Sequence, residues 1–175
     1  MKIGTEKRRE KILSILRDSG QAVSASALAR RLHVSRQVIV GDIALLRAQG
    51  NEIMSTPRGY MLYSQEAAGG HVFKIACRHD GELTRDELYA IVDNGGKVLD
   101  VTVEHPVYGQ LTGQLNISSR YDVDEFLRKV KEGEAALLCD LTGGIHLHTI
   151  SCRNEQAADR IRRALRELGI SLDSA

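Results

Sequence analysis

The stretch that most constrains the fold runs from Leu32 to Arg47 and reads Leu-His-Val-Ser-Arg-Gln-Val-Ile-Val-Gly-Asp-Ile-Ala-Leu-Leu-Arg. Ser35 offers a side-chain oxygen to the free amides of a helix start, and Ile39, Ile43 and Leu46 recur at i, i+4 and i+7. Such a stripe buries one side of a helix only. Arg36, Gln37 and Val40 leave on another side, near the N-terminal end, and a shorter pattern, Ala25 to Leu32, precedes with Leu28 and Leu32 one turn apart. Two helices joined by a His33-Val34 turn, the second carrying an exposed Arg-Gln pair, have the helix-turn-helix layout that reads duplex DNA.

The flanking residues complete a small domain over residues 1–63. Thr5 is the expected cap of a first helix, with Ile12, Leu13 and Leu16 inward and Lys7, Arg8, Arg9 and Lys11 outward. The third helix stops at Gly50. Glu52–Ser55 and Tyr60–Tyr63 then flank the turn residues Thr56-Pro57-Arg58-Gly59 and predict a hairpin. Three helices and a hairpin make a winged helix-turn-helix. Its charge suits a polyanion: residues 1–63 hold eleven Lys/Arg against five Asp/Glu, net +6, whereas residues 64–175 hold thirteen against eighteen, net −5. Double-stranded operator DNA is therefore the expected partner. Ser35, Arg36, Gln37 and Val40 face the major groove, Arg58 at the wing tip faces phosphate or the minor groove, and Arg30, Arg31 and Arg47 anchor phosphates. The run from Val34 to Arg47 resembles the short helix-turn-helix domain at the front of many bacterial regulators. Gly41 departs from it, standing where a longer polar or basic side chain is usual.

An aperiodic stretch, 64–71, holds the Gly69-Gly70 pair and is the expected linker. Beyond it, residues 72–175 show strand patterns at Val72–Cys77, Val98–Val103, Leu111–Ile117 and Ile145–Cys152. On the second of these strands the alternation places Leu99, Val101 and Val103 inward. Helices are expected from Thr84 to about Asp93, from Asp122 through Lys131, and after Asn154 with Ala157, Ile161, Ala164, Leu165 and Leu168 on one stripe. The chain is thus α+β with two domains: the winged unit, then a β-α-β-β-α-β sandwich with an extra C-terminal helix and helices on one face of the sheet. Three cysteines at scattered positions argue against a disulfide framework and for a reducing compartment. No apolar run approaches the roughly 18 residues of a membrane span, and the start lacks the order of a signal peptide, so the expected location is cytoplasmic, with no membrane partner.

The histidines of the second domain carry its chemistry. His146 and His148 sit two apart in a strand, so both leave one face about 7 Å apart. His79 closes the first strand, and Glu87 lies in the first turn of the next helix. If those elements neighbour the fourth strand, three imidazoles and a carboxylate can surround a divalent transition metal: zinc, nickel, iron or cobalt. A blander reading also stands for each residue. Glu87 follows Thr84 at capping-box spacing, and His-x-His is often an exposed pair. Cys77, Cys139 and Cys152 read as core residues.

Longer motifs link these signals. Cys77-Arg78-His79, Glu87-Leu88-Tyr89, the run from Val103 to Gly109 and the run from Leu141 to Ile150 resemble the three-histidine regulatory domain of bacterial niacin-responsive repressors. That resemblance implies His79, Glu87, His146 and His148 as metal ligands and nicotinic acid as co-repressor. It also implies repression of genes for NAD biosynthesis or niacin uptake. Pro106 and Gly109 set a turn that places His105 and Tyr108 either at an effector's carboxylate or in an ordinary satisfied turn, and Arg78 is a further carboxylate partner. A single recognition helix reads few base pairs, so a homodimer held by the second domain is expected. Two other readings fit: a repressor answering to the metal alone, or a metalloenzyme with a DNA-binding appendage. Against the latter, the chain shows no separate base, nucleophile or phosphate-binding glycine loop, so a non-enzyme is expected.

Overall fold

Capping and periodicity set the helices of the first of two units, Met1–Gln65 and Glu66–Ala175, into which the chain divides. The structure is a computed structural model and describes residues 4–62, 70–133 and 135–172. Helices α1 (Thr5–Ser19), α2 (Ala25–Leu32) and α3 (Arg36–Ala48) precede the antiparallel strands β1 (Ile53–Thr56) and β2 (Gly59–Leu62). Ser24 and Ser35 accept from the amides of Ala27 and Val38, closing the starts of α2 and α3. His33, at φ 53°, makes the turn between them. At α1 the expectation is corrected. Thr5 already lies in the helix, and Gly4 is the cap, its extended backbone carbonyl accepting from the Arg8 amide.

Ile12, Leu28, Ile39, Ile43 and Leu46 bury together in the first core, so the predicted α3 stripe faces inward. Arg8 departs from its expected outward place. Its guanidinium forks onto the buried carboxylate of Asp42, Nε to Oδ2 at 2.5 Å and Nη2 to Oδ1 at 3.1 Å, tying α1 to α3. The wing is laced to Val23 by reciprocal backbone bonds with Tyr60 of 2.8 and 2.9 Å. Gly59 permits that approach, because a Cβ there would stand 2.3 Å from the Val23 carbonyl oxygen. Tyr63 and the linker residues up to Gly69 lie outside the described residues.

In the second unit the elements are β3 (His71–Arg78), α4 (Thr84–Asp93), β4 (Lys97–His105), β5 (Gly109–Ile117), α5 (Arg120–Glu132), β6 (Ile145–Cys152) and α6 (Glu155–Glu167). Short 3-10 turns at Gly81–Leu83 and Leu138–Thr142 interrupt the connections. The sheet order is β3-β6-β4-β5, each neighbouring pair antiparallel, so the last strand inserts between the first two. Ile75, Ile150, Leu88, Ile91 and Ile161 bring one sheet face and the helices into a common core. The α+β expectation holds in this form.

Three local expectations give way. A bulge between Val98 and Asp100 takes up an extra residue, so Val98 is buried where strict alternation had placed it outward. Ser119 caps α5 ahead of Asp122, whose carboxylate is used to accept from Ser118. Leu168 follows the last turn of α6 and is 39% exposed, off the buried stripe. Among the described residues no helix is long and apolar enough to cross a membrane.

Candidate metal centre and nucleic-acid interface

Strand pairing builds the centre. In β6, His146 and His148 project from the inner face, where they pair across β3 with Cys77 and Ile75. His79 follows the end of β3, and the first turn of α4 brings Glu87 over the same face. All four side chains, His79, Glu87, His146 and His148, are buried. The Glu87 carboxylate is the hub: His79 Nε2 lies 2.7 Å from Oε2, His146 Nε2 3.1 Å from Oε1, and His148 Nε2 3.4 Å from Oε2. The three rings stand edge to face, with His146 4.9 Å from each of the other two between ring centroids.

The opposite ring nitrogens fix what these atoms can do. His79 Nδ1 meets the carbonyl of Asp80, His146 Nδ1 that of Gly144 at 2.9 Å, and His148 Nδ1 that of Asp100 at 2.9 Å. A carbonyl only accepts, so each Nδ1 carries the hydrogen. In the neutral rings each Nε2 then presents a lone pair to the carboxylate. Lone pairs facing lone pairs in a buried site require a proton or a cation between them. Pinning of the second nitrogen is the arrangement that orients metal-bound imidazoles.

The electrostatics agree. Burial pushes the Glu87 carboxyl up, but the charge of His148 and hydrogen bonds from His146, His148 and His79 outweigh it and hold the group well below the usual carboxylate range. Burial likewise pushes the imidazoles of His79 and His148 down, and Glu87 more than reverses this, raising both. The capping-box reading of Glu87 is corrected: α4 begins after Leu83 without a side-chain cap, and the carboxylate is committed to the histidines.

The remaining expectations divide. Arg78 alternates with Cys77 on β3 and is exposed where Cys77 is buried, so it points off the opposite face and is not brought to the cluster. His105 Nδ1 accepts from the amides of Val107 and Tyr108 at 3.2 Å, the satisfied turn arrangement. It lies four residues past Val101, the partner of His148, and so about 13 Å further along the strand. Tyr108 is 74% exposed, its ring 5.0 Å from that of His105. Cys77 lies in the core, as expected, and it also borders the cluster, which the sequence reading did not draw. Its Sγ, a Glu87 oxygen and a His146 ring nitrogen all lie within 4.8 Å of one another. The signal was its position two residues before His79 on a strand whose inner face ends at the site.

In the first unit Ser35, Arg36 and Gln37 are exposed at the start of α3, and Val40 is half-buried beside them. Ser35 accepts from Val38, which leaves its hydroxyl hydrogen to donate elsewhere. Arg30 and Arg31 are exposed, and Arg58 sits at the exposed tip of the wing. Arg47 is exposed and also has a role within the unit: its Nε donates to the Ile53 carbonyl at 2.8 Å and its Nη2 to Ser55 at 2.7 Å, bracing the wing against α3.

Comparison with known proteins covers both units. Residues 8–61 match a helix-turn-helix domain family, and residues 72–174 match the 3H domain family. The chain is 40% identical over 173 residues to the probable transcription repressor NiaR of Thermotoga maritima, spanning 99% of this chain and 98% of that protein. It is 42% identical over 173 residues to the transcription repressor NadR of Bacillus subtilis, spanning 97% and 96% of the two.

Proposed function

The chain belongs to the family of the NiaR and NadR transcription repressors, which join a helix-turn-helix domain to a 3H domain, and from that premise we propose that it is a niacin-responsive repressor of NAD-biosynthesis or niacin-uptake genes. Its co-repressor is nicotinic acid, and its second domain holds a divalent cation through His79, Glu87, His146 and His148. One observation carries the metal half: three buried imidazoles with pinned Nδ1 atoms converge their Nε2 atoms on one carboxylate. Those donors suit zinc, nickel, iron or cobalt. Bound there, the cation supplies an electrophilic point near which an anionic pyridine carboxylate is held. The names of the relatives support a regulator that is not an enzyme.

On the DNA side, Arg36 and Gln37 reach base edges, Val40 contacts thymine methyls, and Arg58 contacts the phosphate backbone or minor groove. The second domain dimerises, and the liganded dimer sets two recognition helices about 34 Å apart on a two-fold operator. Nicotinate acts by binding that arrangement better than its alternatives, since equal affinity for both shifts nothing.

The test is operator binding by metal-loaded protein, by protein with nicotinate and metal, and by metal-free protein. Tight binding only with nicotinate and metal together is expected. Full affinity from metal alone makes the protein a metal-responsive repressor instead, and affinity indifferent to both refutes the sensor reading.

A further inference from the structure

We propose that the thiolate of Cys77 is an additional donor to the cation held by His79, Glu87, His146 and His148. This rests on the metal reading above and deepens it. Cys77 and His146 are directly opposite each other across β3 and β6, and both leave the inner face. Cross-strand partners hold their Cβ atoms about 5 Å apart on a rigid frame, so the sulfur's distance from the imidazole is set by the sheet rather than by a loop. A metal reaches sulfur at about 2.3 Å and nitrogen or oxygen at about 2.0–2.2 Å, so its donors stand roughly 3–4.5 Å from one another. Sγ, the Glu87 oxygen and the His146 nitrogen fall within 4.8 Å, the span of such a set. Cys77 is fully buried and forms no disulfide.

Charge supplies the second argument. Three neutral imidazoles and one carboxylate leave a divalent cation with one uncompensated positive charge in a buried site, which is costly. When the Cys77 thiol binds, its S–H bond breaks, the proton leaves to solvent, and the S–metal bond brings the second negative charge. The centre is then neutral. A thiolate also biases the site toward zinc, cobalt or nickel and away from magnesium, calcium or manganese.

The probe is cobalt(II) titrated into the full-length metal-free protein, read by absorption. A near-ultraviolet thiolate-to-cobalt charge-transfer band is expected, lost in Cys77→Ser with one cobalt still bound per chain, and kept in Cys139→Ser. Stoichiometric cobalt without that band, or a band that survives Cys77→Ser, overturns the proposal and leaves the four-ligand reading standing. Failure to bind cobalt at all overturns both. Because a buried substitution can disturb folding, X-ray absorption on the unmutated zinc protein provides an independent reading. A sulfur scatterer at about 2.3 Å supports the inference, and a shell of nitrogen and oxygen alone refutes it.

Discussion

Gly144 lies so close to His79 that a Cβ at position 144 would stand 2.2 Å from the His79 carbonyl oxygen, and Gly144 also holds φ at +91°. Its own carbonyl receives the His79 amide at 3.3 Å and the His146 ring at 2.9 Å. One glycine therefore seats two of the imidazoles. Gly144→Ala is expected to weaken metal binding by about 10- to 100-fold, the usual penalty for disturbing groups that orient ligands. Competition with a chromophoric chelator measures it, and an unchanged affinity would show that Gly144 does not seat the ligands.

The proposed ligands themselves are tested by the double substitution His146→Ala and His148→Ala. Metal content should fall below one ion per chain by elemental analysis, while helix α3 and its exposed Arg36 and Gln37, in a separate unit, stay folded. Retention of stoichiometric metal would remove the site from β6.

Proton and metal compete for the same nitrogens, and this gives opposite pH signs. His79 and His148 are raised above their usual value, so their stabilising pairing with Glu87 in metal-free protein is complete below about pH 6.5 and is lost as pH rises through the raised values. Glu87 is lowered, so its contribution is present above about pH 4.3 and is lost as pH falls through the lowered value. Metal-free protein should accordingly be most stable under mildly acidic conditions. Metal needs deprotonated rings, so the thermal shift that zinc produces should grow from acidic to alkaline pH. A metal-induced shift that shrinks over that range would contradict the geometry.

Arg8, half-buried, and Asp42, buried, make an ion pair between α1 and α3. Asp42→Ala leaves a part-solvated guanidinium without its partner and should destabilise the first unit by about 1–2 kcal/mol, between the loss of an exposed bridge and that of a fully buried one. Denaturant unfolding followed by helix signal gives the value. A change under about 0.5 kcal/mol would place the pair with ordinary surface bridges.

Gly41 is exposed inside α3, and nothing lies within 4 Å of where its Cβ would be. Gly41→Ala should stabilise the first unit by roughly 1 kcal/mol through helix propensity. Arg36→Ala, in contrast, should leave stability unchanged and weaken operator binding by about 1–3 kcal/mol with relaxed base preference. Equal losses on operator and random duplexes would reduce Arg36 to a phosphate contact.

The elements that a local rule governs were legible in the sequence. Ser24 and Ser35 cap their helices, Ile39, Ile43 and Leu46 bury, and β6 spans the expected Ile145–Cys152. Each depends on a period or a cap within a few residues, where backbone geometry leaves little choice. His146 and His148 were fixed to one face by the same two-residue period.

Long-range pairing decided the rest. That β6 inserts between β3 and β4 sets Cys77 beside His146, which does not follow from spacing along the chain. The Thr84–Glu87 spacing was equally good for a helix cap. Only the packing of α4 over three imidazoles turned that carboxylate into their hub. Sequence determines which face a residue leaves, because that depends on its immediate neighbours. Tertiary structure decides what waits on that face, because the partner arrives from residues tens of positions away and is chosen by the burial of the whole sheet.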